Sequence, residues 1–572
     1  MYRNLRAILA GAAALSVSLA TYAIAGQEME PPKYGGAVEI GTVYSTISAL
    51  SWDNYDYNWK HNHDTGAVYE QLFAVDVSQA RSRGGKATLV PDAYIPTDLL
   101  TGELAEKWEF RDNPLQVVIT LRKGVMFPDK PGVMASRELT AEDIRYTFNR
   151  QNSSPKKVDS MYDYVGSVEA PDRYTVVFNL KEYNAEWAYR FGYGYYSGIV
   201  PKEVVEAAPD GAGAKDWKNV NGTGPFRLTD YTQGNSNTYE KNPIYWGRET
   251  INGKEYKLPY VDKVIYRIIK DEATRTTALR TGKLDILEAI RWQDVDSLKA
   301  GAPQLKWNRW LSTGGTFLAM RTDTKPFDDI RVRRALNFAV NKEEIVKSYY
   351  NGNAELFAYP QHPTYGNYFQ PLDQQPASVQ ELFKYDPEKA KKLLAEAGYP
   401  NGFTFKTQVC ACSPDHMDLL PLVAGYLEQV GVKIEVQTME YGAFLSAMTT
   451  RTNAPGYFMN NGHTNPTRSL HKSFVYGQVW NPSQWNDPAY SRKMDAVYLE
   501  RDETKRVKMI DEMTTEIVDK APYIWLPTPY IFTAWWPWVK GYEGELRAGA
   551  VRPGPIYARL WVDQDLKKKL GF

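Results

Sequence analysis

Residues 261 to 290 read as a strand, a helix and a second strand in succession, and this order constrains the fold more than any other feature of the chain. VDKVIYRII (261–269) alternates apolar and polar side chains, DEATRTTALRTG is a helical segment stopped at Gly282, and KLDILEA returns to a strand pattern. Strand, helix, strand is an α/β unit. The order recurs where MDLLPLVAGYLEQVG sets Leu420, Val423 and Leu427 on one helix face and stops at Gly431, before VKIEVQTME alternates Val432, Ile434 and Val436. DPEKAKKLLAEAG has Asp386 as N-cap, Pro387 at the first helical position and Gly398 as its stop. LTAEDIRYTFNR opens on Thr140 with Asp143 three residues later, a capping-box pattern, and DETKRVKMIDEMTTEIVDK predicts a last long helix running to Pro522. Val117, Ile119 and Leu121 predict a half-buried strand, and in GTGPF the glycines Gly222 and Gly224 are expected where the backbone turns sharply.

The first residues restrict where such a chain works. Arg3 and Arg6 precede an apolar run from Ala7 to Ala20, and Ala23-Ile24-Ala25 stands before Gly26. This is the order of a cleavable secretory signal, too short for a mature membrane anchor, and no cysteine follows the run to carry a lipid. The mature protein is expected to begin near Gly26 in the periplasm. Without that segment, 66 basic side chains (68 less the two arginines) face 68 acidic ones, so neither nucleic acid nor an anionic membrane is an expected partner. The chain of 572 residues has room for several domains. Its two cysteines, Cys410 and Cys412, exclude a disulfide scaffold. A bridge between residues only two apart in an extended segment would be strained, so the pair is expected unbridged and partly buried.

Forty tyrosines and sixteen tryptophans exceed what a core of this size needs. They gather in polar stretches such as SALSWDNYDYNWKHNHD (48–64), YRFGYGYYSG (189–198), VYGQVWNPSQW (475–485) and YIFTAWWPWVKGY (530–542). A minority of them suit a wet wall that faces a ligand.

LAEKWEF, LQVVITLRKGVMFPDK, LTAEDIRYTFNR, GTGPFRLTDY, KNPIYWG, DEATRTTALRTGKLDI, KPFDDIRVRRALNFAVNKEEIV, YDPEKAKKLLAEAGYPNGF and EQVGVKIEVQTMEYGAF occur in this order. Together they resemble the bacterial extracellular solute-binding proteins of family 5, the receptors of ABC importers for dipeptides, oligopeptides, nickel and oligosaccharides. The resemblance runs from about residue 36 to the end. It implies a two-lobe α/β periplasmic-binding fold with a hinge and an extra inserted domain in lobe one. After the signal (1–25), lobe one takes residues 26–75, the inserted domain 76–220, then 221–310 and, on the return, 531–572; lobe two takes 311–530. Gly314 and Gly315 are the expected hinge residues, with the return near PYIFTAWW (529–536). The implied partners are a small-molecule solute and the permease and ATPase subunits of an importer, and the implied state is a monomer.

The resemblance also bears on the solute. Peptide-binding members carry an aspartate four residues before a proline in a lobe-two loop, where it receives the peptide's amino terminus. The matching loop here is NNGHTNPTRSL, and Gly462 stands in that place. Dipeptide-binding members also place an arginine in the segment matching QVCACSPDHMD, which has none. Both absences argue against a dipeptide. Asn460, Asn461, His463 and Asn465 remain, neutral groups that suit a sugar's hydroxyls or a peptide held by its backbone. The segment matching residues 48 to 57 faces the cleft in this family, so Trp52 and Tyr55 are expected as a stacking platform, with Trp485 as a third contact from lobe two. An oligosaccharide or an oligopeptide is the expected solute; a chelated metal on the same fold is the first alternative. A secreted glycan-processing enzyme is an alternative of another class, but no pair of carboxylates is singled out for it and no nucleophile elbow or HExxH helix appears. His61 and His63 lack the third and fourth ligands of a metal site and read as a solvated loop pair, so no metal, cofactor or catalytic residue is expected.

Overall fold

The computed structural model describes residues 29–43, 51–56, 58–87, 89–91, 94–154, 163–194, 198–462, 465–548 and 552–572. The expected signal segment lies outside them.

The strands foreseen around residue 261 build the larger of two main sheets. Ala37–Thr42 lies at its centre, parallel to Lys263–Ile268 on one side and Ile286–Ile290 on the other. The helix Glu272–Arg280 connects those two flanking strands, with the Asp271 side chain accepting from the Thr274 N–H. Phe226–Thr232 and Ser236–Lys241 extend one edge, and Thr528–Trp535 with Lys306–Leu311 extend the other. The second main sheet has five strands in the order Lys433–Met439, Thr404–Cys410, Gly456–Gly462, Gly314–Met320, Tyr523–Trp525. A separate four-stranded sheet, carrying Leu115–Leu121 at its centre, packs with the helix Ala141–Asn152 inside the 76–220 region. Val117, Ile119 and Leu121 all face inward there, as their alternation requires.

The chain passes between the two main sheets twice. Lys306–Leu311 belongs to the first and Gly314–Met320 to the second, so Ser312 and Thr313 make one crossing; Leu526 and Pro527 make the return between Tyr523–Trp525 and Thr528–Trp535. Apolar packing divides at the same places. One buried cluster draws on residues from Val38 to Leu305 and from Phe532 to Val562, the other on residues from Phe317 to Leu526. This is the two-lobe architecture.

Two expectations change at the level of local structure, those for the cysteine pair and for His61 and His63. The chain bends from Thr223 to Pro225 as expected, and a Cβ on Gly222 or Gly224 would lie 2.4 or 2.5 Å from the Val68 carbonyl oxygen, so both glycines also permit a close backbone approach. Cys410 and Cys412 form a disulfide with Cα atoms 5.1 Å apart, because the strand ends at Cys410 and a turn at Ala411 swings the second sulfur back. His61 and His63 are buried rather than solvated, since the chain there is a tight helical turn packed into lobe one. The aromatic run near the C-terminus supplies core: Trp535, Trp536 and Trp538 are all fully buried, and the last two stack with ring centroids 4.6 Å apart.

Candidate functional site

On lobe two, the strand Gly456–Gly462 runs toward the crossings and pairs antiparallel with Gly314–Met320, placing Gly462 opposite Gly314, Asn461 opposite Gly315 and Asn460 opposite Thr316. Alternation along the strand leaves Asn460 exposed and Asn461 buried. His463 falls outside the described residues. The chain resumes at Asn465, whose side chain accepts from the Arg468 N–H at 2.7 Å and caps the helix Pro466–Phe474. Residues 359–362 brace this helix. The Tyr359 hydroxyl donates to Ser473 Oγ at 2.9 Å, the Gln361 amide donates to the Pro466 carbonyl at 3.1 Å, and the Ser469 hydroxyl donates to the Pro360 carbonyl. Asn461 joins the brace by donating to Ser473 Oγ at 3.3 Å.

Gly314 and Gly315, the expected hinge pair, are strand residues. A Cβ on Gly315 would lie 2.2 Å from Tyr359 Cβ, so this glycine lets the 359–362 segment sit against the sheet, and the crossing itself falls one residue earlier.

On lobe one, the segment from Ser51 to Asp56 is tied to the inserted domain. The Arg150 guanidinium donates to Asp53 Oδ1 at 2.9 Å and lies over the Tyr55 ring, 4.5 Å from its centre, and the Tyr55 hydroxyl donates to the Ser153 carbonyl at 3.3 Å. Trp52 is 1% exposed, with Tyr231 edge-on at 4.8 Å and the Lys60 ammonium 5.0 Å from its ring centre. Asn54 and His61 are also fully buried and converge on Gly198, where a Cβ would lie 2.7 Å from His61 Cε1 and 3.2 Å from Asn54 Nδ2. Burial, and then the nearby charge of Arg552, push the His61 imidazole well below its ordinary range, so it is neutral at pH 7. Behind it, Arg547 donates to Glu288 Oε2 at 3.3 Å and lies 2.8 Å from His63 Nε2. Burial raises the Glu288 carboxyl, but the attraction of Arg547 and the hydrogen bond with His63 outweigh it and hold the group at about 2.

The two walls meet in a closed seam. The Arg468 guanidinium carbon stands 5.8 Å from the centre of the Tyr189 ring, and Tyr94 packs edge-on to Tyr365 and Tyr368 at 6.0 and 6.1 Å. Trp485 is not brought to this seam. It lines a cavity of about 370 Å3 with Thr322, Arg333 and Lys520, beyond Met320 and therefore at the far end of the lobe-two sheet from Gly462. Gln361, Asn54 and Tyr189 were not anticipated as part of the site. The aromatic stretch at 189–198 signalled one of them, whereas nothing local to AYPQHP marks a cleft. Among the described residues no group of three or more histidine, cysteine or acidic side chains could hold a metal, and no helix is long and apolar enough to cross a membrane.

A family model described as bacterial extracellular solute-binding proteins, family 5 (middle region), matches residues 100–520. The dipeptide-binding protein of Escherichia coli is 27% identical over 470 residues, covering 78% of this chain and 84% of that protein. Heme-binding protein A of Haemophilus influenzae is 26% identical over 463 residues, covering 77% and 81%. Among solved structures, the periplasmic binding protein DppA from Helicobacter pylori, in complex with the peptide STSA, superposes with a TM-score of 0.74 at 23% identity over 93% of this chain and 99% of that one. These relatives are solute-binding proteins, not enzymes.

Proposed function

Because the chain belongs to the bacterial extracellular solute-binding proteins of family 5, we propose that it captures an oligopeptide between its lobes in the periplasm and hands it to the permease of an ABC importer. Export through the leader at residues 1–25 is part of the same reading. The observation that carries it is the lobe-two wall. There Gln361 Oε1 and Asn465 Nδ2 are buried amide atoms with no hydrogen-bond partner among the described residues, beside the exposed Asn460 and the first turn of a helix, an acceptor and a donor that suit the N–H and C=O groups of an extended backbone. The names of the relatives favour a peptide in the same direction.

Asn460, Asn461 and His463 are the proposed contacts from lobe two, and Trp52 and Tyr55, with Asn54 and His61 beside them, form the facing wall of lobe one. Closure follows from the difference in affinity between open and closed forms, and the solute supplies that difference by touching both walls at once. An oligosaccharide is the second reading, favoured by Gly462: no carboxylate stands where peptide-binding members hold an ammonium.

The test is thermal stabilisation of solute-stripped protein by matched pools of tri- to hexapeptides and of oligosaccharides, since a ligand that binds only the native state raises the midpoint. The proposal expects a shift with peptides that Asn461→Leu reduces. A shift with sugars alone replaces it by the second reading.

A further inference from the structure

Apart from the seam, the described residues include two contacts between the lobes that differ in leverage. The first lies beside the crossings. Arg291 follows Ile290, whose partner Phe532 is on the strand that carries the return, and its guanidinium binds Asp418 of lobe two at 2.7 Å. The neighbouring Trp292 packs edge-on against Tyr349 and Tyr350 at 5.2 and 4.8 Å. A rotation about the crossings moves these groups little.

The second place is on the inserted domain. The lobe-two helix Pro488–Leu499 ends there, and the carbonyl of Tyr498, one of the last four that an α-helix leaves without an internal partner, accepts from the Ala185 N–H at 2.8 Å. Arg190 lies over the Tyr498 ring at 5.6 Å and reaches its hydroxyl at 3.5 Å, so a cation of the insert grips the side chain at the end of this helix. Three residues on, the Arg501 guanidinium binds Asp112 at 2.6 Å and covers the Tyr183 ring at 4.3 Å, with Phe110 at 5.7 Å. The corner that presents these groups is fixed from behind: Arg506 donates to the Glu500 carbonyl at 2.9 Å, and Asp502 caps the next helix.

We propose that the inserted domain of lobe one is the catch of a latch, and that the corner Tyr498 to Arg501 of lobe two engages it to hold the closed form independently of the solute. Phe110 and Asp112 of the catch stand on the separate four-stranded sheet and not on the strands that carry the crossings, so opening must break every contact in this group together. Each contact therefore counts toward the closed state alone and raises its population before any solute arrives. Arg501 and Tyr498 act by positioning the lobes and need not touch the solute. The inference rests on reading the protein as a receptor that closes.

The experiment measures closure with nothing added. Nitroxides on Glu106→Cys in the insert and Lys392→Cys in lobe two report the lobe separation by pulsed electron resonance on full-length mature protein stripped of solute. The latch predicts a short-distance population in the otherwise unaltered protein. That population falls by about threefold or more in Arg501→Asp and returns when Asp112→Arg is added to it. Arg501 and Asp112 side chains are 50% and 69% exposed, so neither change threatens folding, and an unaltered melting curve verifies this. Superimposable distributions in all three proteins overturn the latch, as does a wholly open distribution in the unaltered protein. No solute takes part, so a failure here is separate from a failure of the peptide reading.

Discussion

Lobe one and lobe two bury positive charge in opposite ways. Lobe one meets that of its C-terminal return with carboxylates drawn from far along the chain: Arg552 binds Glu103 across 449 residues and Arg547 binds Glu288 across 259. Lobe two meets it with carbonyl oxygens at helix ends. Arg333 donates to the carbonyls of Lys520 and Phe327, and Lys342 to those of Asn337 and Leu382. The difference follows from chain topology. Lobe one is assembled from separated stretches, and a directional ion pair fixes the C-terminal return in one register against the rest. Lobe two is a single stretch whose register is set by its own strand pairing, so its cations only complete helix ends that would otherwise leave carbonyls unpaired.

The largest effect expected from this contrast is on Arg552→Met. It leaves Glu103 buried without its partner and should cost about 3–5 kcal/mol. Calorimetry should show the loss in a lobe-one transition while lobe two still melts at its former temperature; equal losses in both lobes would break the comparison. Acid comes next. Glu288 has a folded pKa of about 2, below its ordinary 4.5, so its contribution is complete above 4.5 and is lost as pH falls toward 2. About 3 kcal/mol should disappear over that window at ~1.4 kcal/mol per unit, and Glu288→Gln should remove the dependence.

Lobe two should respond at the other end of the scale. Burial pushes the Lys342 amine down to about 7 from 10.5. Between those values the unfolded chain binds a proton that the native one does not, so stability rises with pH, by about 2 kcal/mol from pH 7 to 9. Below 7 the penalty is constant. Lys342→Met should flatten the rise, measured as the lobe-two midpoint against pH. The smallest effect is expected of Cys410→Ala with Cys412→Ala, because the bridge closes a loop of three residues and contributes ~1.5 kcal/mol at most. A larger loss in chemical denaturation would mean that the bridge holds Ala411 and the adjoining helix in place.

Much of the fold was legible because its signals are local. Asp386 with Pro387, Thr140 with Asp143, and the alternation of Val117, Ile119 and Leu121 each specify an element from a few neighbours, and each element stands where they put it. The site was less legible because its walls are assembled from segments near 54, 61, 189, 361 and 465 that no spacing rule connects. His61 and His63 looked solvated because the groups that enclose them, Arg547 and Arg552, lie almost at the other end of the chain. Trp485 carries the composition of a ligand contact, and only the direction of the strand Gly314–Met320 reveals that it sits at the wrong end of its lobe. The disulfide was missed for the opposite reason: a strand pattern was extended one residue past Cys410, where the chain already turns.

Native mass spectrometry of the protein recovered from the periplasm of an expressing bacterium tests the central claim most directly, by weighing what the closed lobes carry. The account predicts a family of adducts that differ by amino-acid residue masses and vanish on denaturation. Adducts spaced by hexose masses would contradict it and assign the cleft to an oligosaccharide.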